Sequence, residues 1–214
     1  MARPIDADSE ATKKRVLDSA RVLFAERGAG DTSMRDIAKG AGVSLATVHH
    51  YYGSKADLFQ RVVDEMYAEL SLLRGELEAL VQTASDPVDA FLSVIPATYA
   101  FVRRHRHEVQ LLMRTVLGTG RLEVKRRDEL LLPVLEQGSQ FLSALTGVDI
   151  VRARMTVLSL NHLVIRYALT SGEDLVLVTG VVGDDSLDER EARAVARVEA
   201  HLKDLALAML LRAE

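Results

Sequence analysis

Ser33-Met34-Arg35-Asp36-Ile37-Ala38-Lys39-Gly40-Ala41-Gly42-Val43-Ser44-Leu45-Ala46-Thr47-Val48-His49-His50-Tyr51-Tyr52 encodes two short helices and the tight turn that crosses them. Ser33 has the side chain of an N-cap, and Asp36 follows at capping-box spacing. Ile37, Ala38 and Ala41 give the first helix one apolar face. In Ala41-Gly42-Val43-Ser44, Gly42 supplies the positive φ of the turn and Ser44 caps the second helix. Ile37, Ala38, Val43 and Val48 are small or branched, so the two helices can approach closely. The second helix then exposes Ser44, Leu45, Thr47, His49 and His50, compact groups able to reach base edges in a major groove about 12 Å wide.

Working outward, helical periodicity dominates and strand-like alternation is nearly absent. A first helix starts near Ala11, carries Val16, Ala20, Leu23 and Phe24 on one face, and stops at Gly28. Gly53 breaks the helix that ends near Tyr52, and Ser54 with Asp57 opens a long fourth one through Leu58, Val62, Met66, Leu70, Leu73 and Leu77 to about Ala84. Pro87 suits the first turn of the next helix, to about Arg104. Further helices are expected over Glu108 to Leu117, Leu122 to about Leu145 with a bend at Pro133, and Ile150 to about Thr170, the last ending at Gly172. Ser186-Leu187-Asp188-Glu189 is a capping box that opens the final helix. Between these last two, Asp174 to Asp185 reads as an extended loop or a short hairpin.

Composition sets limits on function. The chain has 214 residues, 48% of them hydrophobic and 27% charged, enough to bury a core. Cysteine is absent, which removes disulfides, thiolate zinc sites and cysteine nucleophiles. No apolar run approaches the roughly 18–20 residues of a membrane span, and Met1 to Asp8 lacks the pattern of a signal peptide, so the cytoplasm is the expected compartment and no membrane partner is expected. Between Ala11 and Arg61 nine Lys or Arg face five Asp or Glu, a local +4 in a chain whose formal total is −4. A basic module on an acidic body is what phosphate binding by one end requires. Nucleophile-elbow, phosphate-loop and His-Glu-x-x-His patterns are missing, and His105 and His107 fall on different sides of a helix. No catalytic residue, metal or cofactor is therefore expected.

The run from Val16 to Leu58 resembles the TetR family of transcriptional regulators: an apolar first helix, Thr/Ser, Ile-Ala, Ala-Gly-Val-Ser, a short recognition helix, two aromatics and Ser-Lys-x-x-Leu. The resemblance covers about a fifth of the chain strongly. It implies an all-α fold, with an N-terminal three-helix DNA-binding domain over residues 1–57 and a larger helical ligand-binding and dimerisation domain over residues 58–214. It further implies that Arg35 reaches a base edge or phosphate, that Ser44, Leu45, Ala46, Thr47 and His49 face the groove, and that Tyr51 and Lys55 contact phosphates. Ser33 and His50 complete the set expected on the DNA side. The chain departs from the pattern at His49, where tyrosine is common, and at Tyr51, where histidine is. Tyr52 and Val48 are expected in the core.

For the C-terminal body the resemblance implies a homodimer on a double-stranded operator, released by a small-molecule inducer, and most often a repressor. The dimer surface is expected on Val157, Asn161, Val164, Ile165 and Ala168 of one helix and Val198, Leu202, Leu205 and Met209 of the last. Phe91, Ile95, Tyr99, Met113, Phe141, Met155 and Tyr167 are large or adaptable apolar residues suited to a ligand pocket, with Asn161 and His162 as polar groups to orient a ligand. Arg103-Arg104-His105-Arg106-His107 and Lys125-Arg126-Arg127 read as solvated faces. An interaction protein that keeps the motif without reading DNA is the alternative.

Overall fold

The computed structural model describes residues 5–120, 124 and 127–211. Among these the chain forms ten α-helices and no strand, as the periodicity requires. No described helix is long and apolar enough to cross a membrane. The chain divides into two compact units, Met1–Leu70 with His107–Leu122, and Ser71–Arg106 with Glu123–Glu214.

The first unit contains α1 (Ile5–Arg27), α2 (Met34–Ala41), α3 (Leu45–Tyr52), the start of α4 (Lys55–Thr83) and most of α6 (Arg106–Thr119). Its core takes Val16, Leu17, Ala20, Phe24 and Ala25 from α1, Ile37, Ala38 and Ala41 from α2, and Val48 from α3. Leu58 and Val62 of α4 and Leu111 of α6 close it. Phe24 and Phe59 meet edge to face at 5.2 Å, a favoured arrangement of two ring quadrupoles. Thr32, almost wholly buried, donates to the carbonyls of Leu23 and Gly28 and so anchors the loop between α1 and α2. The division expected at residues 57 and 58 lies inside α4, and the first compact unit extends beyond it to Leu70 and takes in Leu111 of α6.

The second unit holds the rest of α4, α5 (Pro87–Arg104), α7 (Leu132–Thr146), α8 (Ile150–Ala168), α9 (Gly172–Thr179) and α10 (Leu187–Leu211). Asp86 caps α5 ahead of Pro87, Asp149 caps α8, and the Ser186–Glu189 box caps α10. α7 packs on α8, α9 on α10, and α5 against α7, α8 and α10.

Four expectations are corrected here. α1 begins at Ile5, well before Ala11. The helix expected from Leu122 starts outside the described residues; Arg127–Leu131 winds as a looser π turn, and Pro133 lies in the first turn of α7. Gly172 does not end α8 but begins α9, and Asp174 to Thr179 is helical, neither loop nor hairpin. Ser171 caps α9 by accepting from the Asp174 N–H, Leu175 and Val176 are buried, and Gly180 closes it in the left-handed region. A Cβ on Gly172 would collide with the Glu191 carboxylate, so glycine is what permits this approach to α10.

The fourth correction concerns the basic run. Arg103 pairs with Glu191 and donates to the Thr170 carbonyl, and Arg106 donates to the Leu169 carbonyl at 3.4 Å. These guanidinium groups satisfy orphan carbonyls just past α8 instead of standing in water. His105 stacks on Phe101 at 4.3 Å, and only Arg104 is exposed. Arg127 pairs with its neighbour Asp128, while Lys125 and Arg126 lie outside the described residues.

Candidate nucleic-acid interface

Local hydrogen bonds fix α2 and α3 before any long-range packing is considered. The Ser33 hydroxyl accepts from the Asp36 N–H at 3.2 Å, and the Asp36 carboxylate accepts from the Ser33 N–H at 3.1 Å. The Ser33 bonds hold the Asp36 carboxyl below its ordinary value. Gly42 (φ 66°) turns the chain in the left-handed region, which lets the Val43 N–H return to the Ala38 carbonyl. Ser44 then accepts from the Thr47 N–H at 3.0 Å and shares a 2.8 Å hydroxyl contact with Thr47 Oγ1. Val48, fully buried, sets the rotation of α3.

That rotation leaves Ser44, Ala46, His49 and His50 exposed and Leu45 and Thr47 half-buried. Arg35 projects from α2 with no partner among the described residues, as an arginine kept for an external acceptor would. His49 is tethered: its Nδ1 lies 2.7 Å from the Gly53 carbonyl. Tyr51 is half-buried, its hydroxyl accepting from Ser9 and its ring lying 5.6 Å from Lys13 Nζ. Tyr52 donates to the Lys13 carbonyl at 2.9 Å, and burial, with Glu65 nearby, pushes its phenol up to about 12.

Lys55 is also engaged within the protein. Its ammonium donates to the carbonyls of Ala29 at 2.7 Å and Thr32 at 3.0 Å, so two of its three donors hold the α1–α2 loop. Ser9 and Lys13 of α1 were not singled out from the sequence, although they flank Tyr51. Their spacing of one helical turn is the signal, and a helix begun at Ala11 hides it.

Behind this surface, Arg21 gathers three carboxylates: Asp18 at 3.2 Å, Glu65 of α4 at 3.1 Å and Glu108 of α6 at 3.2 Å. Arg114 of α6 donates to the Glu26 carbonyl near the end of α1 at 2.8 Å. α6 is thus held to α1 by a buried leucine, an ion pair and a carbonyl bond.

The second unit distributes the remaining candidates unevenly. Phe91, Ile95 and Tyr99 are buried on successive turns of α5, and burial raises the Tyr99 phenol above its ordinary value. Phe141, Asn161 and Tyr167 are half-buried. Met155, 66% exposed, and His162 stand on the outside of α8, and Met113 belongs to the first unit. Of the dimer candidates, Val164, Ala168, Val198 and Leu202 are buried inside the protomer, where α8 and α10 pack on each other. They are part of the core of this unit. Val157, Asn161, Ile165, Leu205 and Met209 keep partly exposed surface.

A capped helix pair with an exposed second helix on a basic segment defines a helix-turn-helix DNA-binding regulator. Residues 16–62 match the family model described as bacterial regulatory proteins, tetR family. The chain is 29% identical over 161 residues to the transcriptional repressor KstR2 of Rhodococcus jostii, covering 69% of this chain and 76% of that one. It is 30% identical over 95 residues to the regulator AcrR of Shigella flexneri, spanning 44% of this chain and 43% of the relative. Among solved structures it is similar to a TetR-like regulator from Rhodococcus sp. RHA1, at TM-score 0.60 and 20% identity over 94% of this chain and 98% of that one. The ketosteroid transcriptional regulator KstR2 of Mycobacterium tuberculosis has the same fold at TM-score 0.60 and 16% identity, over 88% of this chain and 94% of that one. Residues 16–62 thus carry a DNA-binding domain of the tetR type, and the relatives that the chain resembles are transcriptional regulators.

Proposed function

We propose that this protein is a cytoplasmic repressor that binds a palindromic operator as a homodimer and leaves it when a small molecule occupies the second unit. The observation that carries the reading is the unpartnered Arg35 beside the exposed α3 residues Ser44, Ala46, His49 and His50, all on the basic segment. Arg35, Leu45, Ala46, Thr47, His49 and His50 meet bases, and Ser33, Ser44, Tyr51 and the third donor of Lys55 meet phosphates. In functional terms residues 1–57 read DNA, and residues 58–214 sense and dimerise.

Two-fold symmetry follows from the mode of reading, because half-sites about 34–36 Å apart need two recognition helices at that spacing. The dimer uses the exposed faces of α8 and α10, where Val157, Asn161, Ile165, Leu205 and Met209 are joined by Val151, Met155 and Leu207, each at least 39% exposed. The ligand is largely apolar, since Phe91, Ile95 and Tyr99 dominate the buried face of α5 and Phe141 and Tyr167 are their expected companions. One relative is described as a ketosteroid regulator, which makes polycyclic ketones a sensible first panel. Ligand release is a population shift toward a state whose recognition helices miss the half-site spacing.

The test is footprinting on DNA flanking the gene, with sedimentation of the complex and titration of the ligand panel. Protection of an inverted repeat by two chains, relieved by one of the ligands, is expected. Weak binding indifferent to sequence would overturn the reading.

A further inference from the structure

His49 stands where the family commonly carries tyrosine, and its geometry restricts what it can say to a base. Its Nδ1 lies 2.7 Å from the Gly53 carbonyl. A carbonyl oxygen only accepts, so Nδ1 carries the proton, and in the neutral imidazole Nε2 is left as a bare acceptor. The tether is local, four residues along α3, and Gly53 holds the carbonyl in place because its own N–H returns to the His49 carbonyl at 2.9 Å. His49 is exposed, and the ring makes no other hydrogen bond among the described residues. Its neighbour His50 has no such tether; its ring lies against Tyr51 at 5.1 Å.

We infer that His49 reads one base pair per half-site through Nε2, as acceptor for the exocyclic amine of adenine or cytosine in the major groove. Only those two bases offer a donor on that edge; guanine and thymine present acceptors, which the bare nitrogen repels. A tyrosine at this position, able to donate or accept by rotating its hydroxyl, makes no such distinction. The tether also lowers the cost of binding, because the ring is oriented before DNA arrives. This inference rests on the operator reading above.

The experiment begins with selection of bound sequences from random DNA by the full-length chain. The selected operator is then remade with single amines deleted symmetrically, adenine replaced by purine or cytosine by its 4-deamino analogue. At one position per half-site, amine deletion should weaken wild-type binding roughly 3- to 10-fold, the size of one neutral hydrogen bond. The same deletion should cost His49→Ala nothing further, and whether the position is adenine or cytosine identifies the base. Equal losses in wild type and His49→Ala at every amine would overturn the inference. So would a His49-dependent preference for guanine or thymine. If selection returns an operator and no amine responds, only the assignment to His49 falls; if selection returns no sequence at all, the operator reading falls with it. His49→Ala should melt with the wild type's cooperativity, since the side chain is exposed.

Discussion

The ammonium of Lys55 lies 2.7 Å from the carbonyl oxygen of Ala29, and through the neighbouring bond to Thr32 it ties the first turn of α4 to the loop that delivers α2. The family pattern alone assigns this lysine to a phosphate, but two of its donors are already engaged. Lys55→Met keeps the stem and removes both bonds, leaving two carbonyls to water. Urea unfolding should show a loss of about 1.5–3 kcal/mol, the range for hydrogen bonds to a charged group. The slope of log affinity against log salt should change by no more than about one phosphate contact. A variant as stable as the parent, with weaker DNA binding, would return Lys55 to the phosphate alone.

The helix caps should contribute to the acid limit of the fold, and Tyr52 to the alkaline one. Hydrogen bonds from Ser33, Ser54 and Ser186 hold the carboxyls of Asp36, Asp57 and Glu189 below their ordinary values. A lowered carboxyl contributes stability that is complete above its unfolded value, 3.8 for the aspartates and 4.5 for the glutamate, and is lost as pH falls through the lower folded value. Tyr52 has the opposite sign: its phenol, pushed up to about 12, contributes fully below the unfolded 10.0 and progressively less as pH rises toward the folded value. Thermal melts followed by circular dichroism should fall off below about pH 4 and above about pH 10. Asp36→Asn with Asp57→Asn should flatten the acid arm, and Tyr52→Phe the alkaline arm. An acid arm unchanged by the double substitution would show that other carboxylates set it.

From Ser33 to Ser54 the chain was legible because each helix start there carries its own chemistry, which the start of α1 does not. Ser33, Ser44 and Ser54 cap where their spacing predicts, and Gly42 turns where only glycine turns easily. The second unit hides its decisive contacts between distant residues. Leu175-Val176-Leu177-Val178 has the branched composition of a strand, yet a Ser171 cap and packing on α10 make it helical, an override of local preference by context. Arg103 and Arg106 look solvated in sequence because nothing local reveals the carbonyls beyond α8 that they satisfy. Stripes on α8 and α10 are periodic in either case; periodicity does not distinguish burial within a protomer from burial between two. The exposure of Ser44, Ala46, His49 and His50 was readable from the spacing of α3, but the engagement of Lys55 and the tether on His49 depend on backbone carbonyls, which no side-chain pattern records.

Arg21 makes a second joint in the first unit, and its energetics follow from imbalance. One guanidinium faces Asp18, Glu65 and Glu108, and the Glu108 side chain is only 10% exposed. Arg21→Met leaves the carboxylates crowding one another and should destabilise the unit by about 2 kcal/mol, below the value for a fully buried pair because Arg21 is partly solvated. Glu108→Gln should cost less in the Arg21→Met background than in the parent, with a coupling on the order of 1 kcal/mol in a double-mutant cycle. Simple additivity would mean that Glu108 owes its stability to other partners.

Gly40 tests how closely α2 must lie against α1. A Cβ at Gly40 would collide with Ser19 Oγ, whose hydroxyl donates to the Ile37 carbonyl at 3.0 Å. Two effects oppose each other in Gly40→Ala: helix propensity favours alanine by about 1 kcal/mol, and the clash costs about 1–3 kcal/mol or forces Ser19 off its bond. The clash should win, lowering both stability and operator affinity, because α2 carries Arg35 and orients α3. Ser19→Ala removes the offending oxygen and leaves Ser19 Cβ at 3.5 Å, an ordinary contact. The double variant Ser19→Ala, Gly40→Ala should therefore be more stable than Gly40→Ala alone, with the propensity gain partly recovered and operator binding restored. Urea midpoints of the four proteins, with binding curves on one operator, decide it. A double variant no better than the single would mean that backbone, not the serine hydroxyl, sets the approach of the two helices.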